Sequence, residues 1–244
     1  MYYFVSDVHL GSIGDPDKLR EKAFVQFLRS LPEDTRGLYM LGDIFDFWVE
    51  YKNVVPRGFV RVLGELAKLS DRGVEIWMFC GNHDYWLTDY LQKEIGLHIV
   101  YDPWKVVKVG DLTMCLGHGD GVGKHRWITR AVFHFFRDPV CIAMLKFLHP
   151  YLIFQFAHTW SEKSRAKHRH YVFQGENDPI YKFAVEHSAT QKVDAYIFGH
   201  LHSPAEVTLP DGSRLYVLDD WKNGANYLHL SGMNISGFGL RKME

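Results

Sequence analysis

Short, mainly apolar runs, each closed by a cluster of Gly, Asp, Asn and His, recur along this chain at intervals of about one β-α unit. No other feature restricts the fold so tightly. Tyr2 to Val5 leads into Asp7-Val8-His9, Leu38 to Leu41 into Gly42-Asp43, and Val74 to Phe79 into Gly81-Asn82-His83-Asp84. Leu112 to Leu116 leads into Gly117-His118-Gly119-Asp120. Runs of this length bounded by turn residues read as buried strands. Helical patterns over Lys18 to Ser30 and Phe59 to Arg72 separate the first three. That alternation predicts an α/β layered fold. A short helix is expected from about Trp86 to Ile95, stopped by Gly96. Beyond Asp194 the pattern turns all-β: Ala195 to Phe198, Ala205 to Leu209, a turn at Pro210 to Gly212, Arg214 to Leu218 and two further strands. The expected architecture is a two-sheet sandwich with outer helices.

In α/β folds, reactive groups gather in the loops beyond the carboxyl ends of strands. Five such positions, expected on consecutive strands, carry metal-ligand types here, the fifth being Gly199-His200-Leu201-His202. A lone Asp-x-His means little, and a lone Gly-Asp is more often a turn or a helix cap. Spacing decides the matter: Asp43 stands 36 residues after Asp7, Asn82 39 after Asp43, and His118 36 after Asn82. Coincidence is a poor account of that regularity. The 14 histidines point the same way, because neutral imidazole is the commonest metal ligand. Cys80, Cys115 and Cys141 form no C-x-x-C pair and lie in apolar runs, as buried thiols of a reducing compartment would. Oxygen and imidazole donors without thiolate suit Mn, Fe or Zn. Two such ions about 3.5 to 4 Å apart can share a carboxylate and activate a water for attack on phosphorus. The neighbouring glycines are expected to turn the backbone sharply and leave room for ion and phosphate.

The net charge of -1 provides no global field towards nucleic acid or membrane. The first residues lack a basic segment followed by a long apolar one, so they read as a first strand rather than a secretory signal. The expected location is the cytoplasm.

In this order, the blocks Asp-x-His, Gly-Asp, Gly-Asn-His-Asp, Gly-His and Gly-His-x-His resemble the calcineurin-like metallophosphoesterase superfamily over nearly the whole chain. The resemblance implies a single domain, residues 1–244, built as a four-layer α/β/β/α sandwich. It implies one metal held by Asp7, His9, Asp43 and His202, and a second held by Asp43, Asn82, His118 and His200, with Asp43 as the bridge. His83 is then not a ligand but a catalytic group, alongside Asp43, that meets the charge developing on the phosphoryl oxygens. It can also release a proton to a leaving alkoxide. A packing histidine is the alternative at that position. Asp84 and Asp120 are expected to orient ligating imidazoles.

His200 follows His118 by 82 residues, more than twice the earlier spacing. The surplus predicts a helical insertion, a lid, at about residues 122–172. From Lys124 to His170, nine Lys and Arg stand against Asp138 and Glu162. A first helix, Lys124 to Arg137, would place Arg126, Arg130 and Arg137 along one side and Ile128, Val132 and Phe135 on the other. An apolar, aromatic stretch follows from Pro139 to Trp160, including Phe147, Leu152, Phe154 and Phe156. It reads either as the core of a small helical subdomain or as a lid that offers apolar surface to lipid. A membrane span is excluded, because it would put His118 and His200 on opposite sides of a bilayer; Lys146, His149 and Pro150 also interrupt it.

Within the superfamily the chain resembles the UDP-2,3-diacylglucosamine hydrolases of lipid A biosynthesis. The matching features are Ser6 to Gly11, Gly42 to Trp48, His118-Gly119-Asp120, the basic insertion, Gly199 to Pro204 and Asp220-Trp221. The resemblance implies cleavage of the pyrophosphate of a UDP-linked diacyl sugar to UMP and a lipid phosphate. It also implies manganese as the usual metal, acyl chains sheltered by the insertion, and peripheral contact with the cytoplasmic face of the inner membrane. Asn82, His83, Lys124, Arg126, Ser164, Arg165 and Lys167 become the expected substrate contacts. The alternative within the superfamily is a generic phosphodiesterase or phosphatase acting on a small nucleotide or other phosphoester. Nucleic acid is not expected, because a nuclease would interleave aromatics with its basic face for stacking, whereas here they form one apolar block. A catalytically dead scaffold would have lost ligands, and all seven positions are filled.

Overall fold

The computed structural model describes residues 1–13, 15, 18–123, 127, 131, 134–136, 138–153, 155, 159 and 171–238. Tyr2–Val5 (β1), Gly37–Leu41 (β2), Glu75–Phe79 (β3) and His98–Val100 (β4) pair in parallel. Tyr227–Ser231 (β10) and Asn234–Phe238 (β11) extend this sheet antiparallel from β1, giving the order β11-β10-β1-β2-β3-β4. The second sheet contains Trp104–Val109 (β5), Leu112–Gly117 (β6), Ala195–Phe198 (β7), Ala205–Thr208 (β8) and Arg214–Val217 (β9). Its order is β5-β6-β7-β9-β8, parallel through β6, β7 and β9, with antiparallel edges.

The central strands are apolar throughout because both faces are covered. One face fills the space between the sheets, where Phe4, Leu41 and Phe79 meet Met114, Leu116 and Ile197. On the opposite face, Val5, Met40 and Met78 lie under Leu19–Ser30 (α1) and Val60–Asp71 (α2), which contribute Phe24, Leu28, Val62 and Leu66. Pro179–Ser188 covers the far side of the second sheet, setting Ile180, Phe183 and Ala184 over Tyr196 and Phe198. The layers are helix, sheet, sheet, helix, as expected.

Three details differ from the expectation. The helix foreseen from Trp86 shrinks to Tyr90–Ile95 (α3), because Trp86 forms a β-bridge with Val49. The buried Glu50 carboxylate starts α3 by accepting from Asp89 N at 2.9 Å and Tyr90 N at 3.1 Å. The strands β4 and β5 were not anticipated, so the ligand-bearing strands are β1, β2, β3, β6 and β7 and not consecutive ones. The Pro179–Ser188 helix was also missed, although Asp178 caps it by accepting from Ile180 N at 2.9 Å and Pro179 fills its first turn.

The β6–β7 connection contains Pro139–Phe147 (α4) and then Pro179–Ser188 (α5). Ile153 buries itself against Phe47 and Val49, and the Tyr51 hydroxyl donates to Leu148 O at 3.4 Å. Phe147, by contrast, is 90% exposed and Leu152 58%. Of the foreseen helix Lys124 to Arg137, residues 124–126, 128–130, 132, 133 and 137 lie outside the described residues, as do Phe154 and Phe156.

Candidate metal centre

The first two clusters are zipped together by the main chain: Asp7 N donates to Gly42 O at 3.1 Å and His9 N to Asp43 O at 3.0 Å. Among the described residues, the non-glycine positions with left-handed backbone are Asp7, His9, Lys18, Asp43, Phe59, His200 and His202. Five of them are residues expected to hold metal. Such conformations cost roughly 1 to 3 kcal/mol each and persist where the surroundings over-determine them, typically at functional sites. Asp and His tolerate them better than most side chains.

Gly42 (φ 88°) and Gly119 (φ 116°) turn the backbone as expected, and two other glycines have a further task. A Cβ on Gly81 would collide with the Asp43 carboxylate, and one on Gly199 with Ser6 Oγ and the Asp7 carboxylate. They leave room for the carboxylates of Asp43 and Asp7.

The polar groups converge on two adjoining clusters. His202 Nε2 lies 3.1 Å from Asp7 Oδ1 and 3.3 Å from His9 Nε2, and His9 Nε2 lies 3.8 Å from Asp7 Oδ1. In the other, His118 Nε2 lies 3.3 Å from both Asp43 Oδ2 and Asn82 Oδ1. Asp43 Oδ2 joins the two, at 3.9 Å from His9 Nε2. The His200 ring centroid lies 5.0 Å from that of His118, and His200 N donates to Asp7 Oδ2 at 2.9 Å. His83 N donates to Asp43 Oδ1 at 2.9 Å, and its Nε2 lies 3.8 Å from Asp43 Oδ2. Lys124, Arg126, Ser164, Arg165 and Lys167 lie outside the described residues.

The charge balance shows what these groups fit. Asp7 and Asp43 are buried, and among the described residues they meet imidazoles but no Lys or Arg. Burial alone would raise both carboxyls. The facing imidazoles, His202 for Asp7 and His118 for Asp43, outweigh it and hold both below the usual carboxylate range. Conversely, against its own burial, His202 is pushed up to about 10 by Asp7 and Asp220. His118 is raised by Asp43, also against burial. Burial lowers His9 despite Asp46 beside it. The cavity attracts positive charge, and protons on the imidazoles take the part that cations would play. Carboxylate, amide oxygen and imidazole without thiolate suit hard to borderline divalent ions.

The residues beside these groups include some that were not foreseen. Asp84 does not serve a histidine among the contacts found: its carboxylate accepts from Ile44 N at 3.1 Å and Phe45 N at 3.3 Å and so pins the loop after Asp43. Asp120 accepts from the Tyr85 hydroxyl at 3.2 Å. The carboxylates that face imidazoles are Asp46, 3.5 Å from His9 Nδ1, and Asp220, 3.4 Å from His202 Nδ1. A main-chain oxygen serves His118, whose Nδ1 donates to Leu41 O at 3.0 Å. Arg20, 9% exposed on α1, adds its charge to those that lower Asp220. Nothing in the local sequence marked Arg20, since it comes from another element; Asp46 was legible only as part of the Gly-Asp block.

The family model described as calcineurin-like phosphoesterase matches residues 2–204. The chain belongs to that family. It is 37% identical over 260 residues to a protein of Porphyromonas gingivalis named UDP-2,3-diacylglucosamine hydrolase, covering 99% of this chain and 98% of that one. It is 30% identical over 245 residues to a protein of the same name from Haemophilus influenzae, covering 98% of each. Among solved structures, one of a novel archaeal phosphodiesterase superimposes with a TM-score of 0.47 and 13% identity, covering 97% of this chain and 98% of the other. For a calcineurin-like phosphoesterase, the clustered Asp and His side chains fit a dinuclear divalent-metal site that serves hydrolysis of phosphoester bonds.

Proposed function

We propose that this calcineurin-like phosphoesterase hydrolyses the pyrophosphate of UDP-2,3-diacylglucosamine, releasing UMP and 2,3-diacylglucosamine 1-phosphate for lipid A biosynthesis. The observation that carries the substrate is similarity along essentially the full length of both chains to a protein bearing that activity in its name. The convergence of two buried carboxylates, an amide oxygen and imidazoles within 3.1 to 3.9 Å carries the reaction class.

In this reading Asp7, His9, Asp43 and His202 hold one ion and Asp43, Asn82, His118 and His200 the other. Mn2+ is the preferred ion, and the same donors accept Fe2+ or Zn2+. When bound, such a pair would polarise phosphoryl oxygens and activate a water for attack on phosphorus. The chain's own groups supply the rest. Asp46 O accepts from His83 Nδ1 at 3.0 Å, which fixes the ring so that Nε2 faces the reacting group. A leaving phosphate with a pKa of about 6 needs little help from an acid. His83 therefore acts chiefly by opposing the charge that develops on the phosphoryl oxygens. Asn82 contacts substrate as well as metal, together with Lys124, Arg126, Ser164, Arg165 and Lys167. This reading puts the exposed Phe147 and Leu152 against acyl chains and the protein at the cytoplasmic face of the inner membrane. No helix among the described residues is long and apolar enough to cross that membrane.

The test sets Mn-supplemented enzyme on UDP-2,3-diacylglucosamine beside bis-p-nitrophenyl phosphate, with Asp43→Ala as control. UMP release should dominate in the wild type, and metal analysis should find about two ions per chain. The Asp43→Ala protein should lose both metal and turnover. Cleavage of the soluble diester alone would favour a generic phosphodiesterase.

A further inference from the structure

The end of the first sheet that carries the metal centre has a second surface with its own composition. Strands β1 and β2 are parallel, so α1 and α2, which follow them, begin on the side where Asp7 and Asp43 lie. At these helix starts Ile13 is 55% exposed, Leu19 62%, Val54 56% and Val60 77%. Single exposed apolar residues are ordinary. Here they accompany cations: Lys22, Arg57 and Arg61 are exposed and have no ion-pair partner among the described residues. Lys18, Lys22, Arg29 and Arg61 line a groove of about 300 Å³ between the two helices, whose acidic member, Glu21, is engaged by Lys18 at 3.3 Å.

This edge is a built surface. The Asp15 carboxylate accepts from Leu19 N at 2.8 Å and Arg20 N at 2.9 Å, which sets the start of α1. The Phe59 ring is packed so close to Gly11 that a Cβ there would stand 2.8 Å from it, which ties the start of α2 to the turn before Ile13. The edge also joins the β6–β7 connection: Tyr51 N donates to Val54 O at 2.9 Å, while the Tyr51 hydroxyl reaches Leu148 O.

We propose that this edge is a contact with an anionic lipid bilayer, separate from but continuous with the apolar face of the β6–β7 connection. Ile13, Leu19, Val54 and Val60 enter the interface, and Lys22, Arg57 and Arg61 meet the phosphate headgroups. The inference rests on the lipid-linked substrate proposed above. One apolar contact leaves a protein free to swivel on a membrane, whereas a second beside it limits that rotation. A second copy of the chain fits this surface poorly, because a two-fold contact would set the unpaired cations against themselves.

The experiment is flotation of the Mn-loaded full chain with phosphatidylcholine vesicles that contain or lack phosphatidylglycerol. The wild type should float with the anionic vesicles and be released by salt. Lys22→Glu/Arg61→Glu and Leu19→Asn/Val60→Asn should each lower partitioning about tenfold or more. Both should retain wild-type hydrolysis of bis-p-nitrophenyl phosphate and a wild-type unfolding midpoint. Variants that float as well as the wild type would overturn the proposal. So would a wild-type solution mass of two chains that the variants reduce to one, since the surface would then belong to a second copy. UDP-2,3-diacylglucosamine hydrolysis in detergent is scored separately. Its absence in the wild type, with vesicle binding as predicted, would remove the proposed substrate and leave the surface standing.

Discussion

His83 shares a loop with Asn82, a proposed metal ligand, yet touches the site in a different way. Its main-chain N–H donates to Asp43 Oδ1, a contact that survives loss of the ring, while Nδ1 is engaged by Asp46 O. His83→Ala should therefore keep both metals and lose roughly 10²-fold or more in kcat, the usual scale for one transition-state donor. Metal analysis that finds an ion missing would make the ring a ligand and refute this role. The ligand imidazoles lead to a second expectation, about pH. His202, at about 10, and His118, raised by Asp43, carry protons at neutral pH in the metal-free chain, whereas a ligating imidazole must be neutral. Metal binding should thus release protons, and apparent affinity should climb with pH across the neutral range. Calorimetric titration of Mn2+ in buffers of differing ionisation enthalpy reads the protons directly. A binding enthalpy independent of the buffer would show that both imidazoles are already neutral in the metal-free chain and would refute this expectation.

At the scale of elements, the loops matter more than the strands that carry them. Left-handed backbone at Asp7, His9 and Asp43 turns each side chain into the space above the sheet edge, and the cross-loop hydrogen bonds to Gly42 O and Asp43 O hold it there. Gly81 completes the arrangement by leaving the Asp43 carboxylate room. Gly81→Ala adds one methyl group on an otherwise suitable backbone, so its whole effect falls on Asp43. We expect a loss of about 2 kcal/mol or more in stability and a marked loss of metal affinity. Urea unfolding with and without Mn2+ separates the two effects. An alanine variant that binds metal like the wild type would show that Asp43 relaxes without cost.

Across the whole molecule, the β6–β7 connection meets the body through one group of side chains and presents another to solvent. Ile153 is 5% exposed against Phe47 and Val49, and Phe147 is 90% exposed. This division lets the packed-subdomain reading and the proposed acyl-binding lid be tested apart. Ile153→Ser should lower the unfolding midpoint and depress hydrolysis of both a soluble diester and the diacylated UDP-sugar. Phe147→Ser and Leu152→Ser should leave the midpoint and the diester unchanged. They should weaken turnover of the lipid substrate by roughly 1 to 3 kcal/mol for each large side chain. Loss confined to KM would mean uniform binding of the chains, and a fall in kcat would mean that their binding helps to align the pyrophosphate. Equal losses on both substrates would remove the reason for assigning Phe147 and Leu152 to acyl chains.

The sequence by itself determined the layered α/β architecture, the family and the ligand-type residues. All of these follow from local pattern: apolar runs buried on two faces, and Asp, Asn, His and Gly where strands end. It also contained an unread signal, the Asp178-Pro179 helix start. What only the tertiary structure decided lies between elements. Asp46 lies beside His9 and Asp220 beside His202, neither of them foreseen in that role, and Leu41 O orients His118. Gly81 and Gly199 are small because carboxylates from other loops pass them. The charge of Arg20 acts on Asp220 from another element of the fold. Orientation of this kind depends on distances between segments far apart in the chain. The spacing of residues along one strand-loop unit has no term for it, and it comes into being only when the sheets close and bring the loops together.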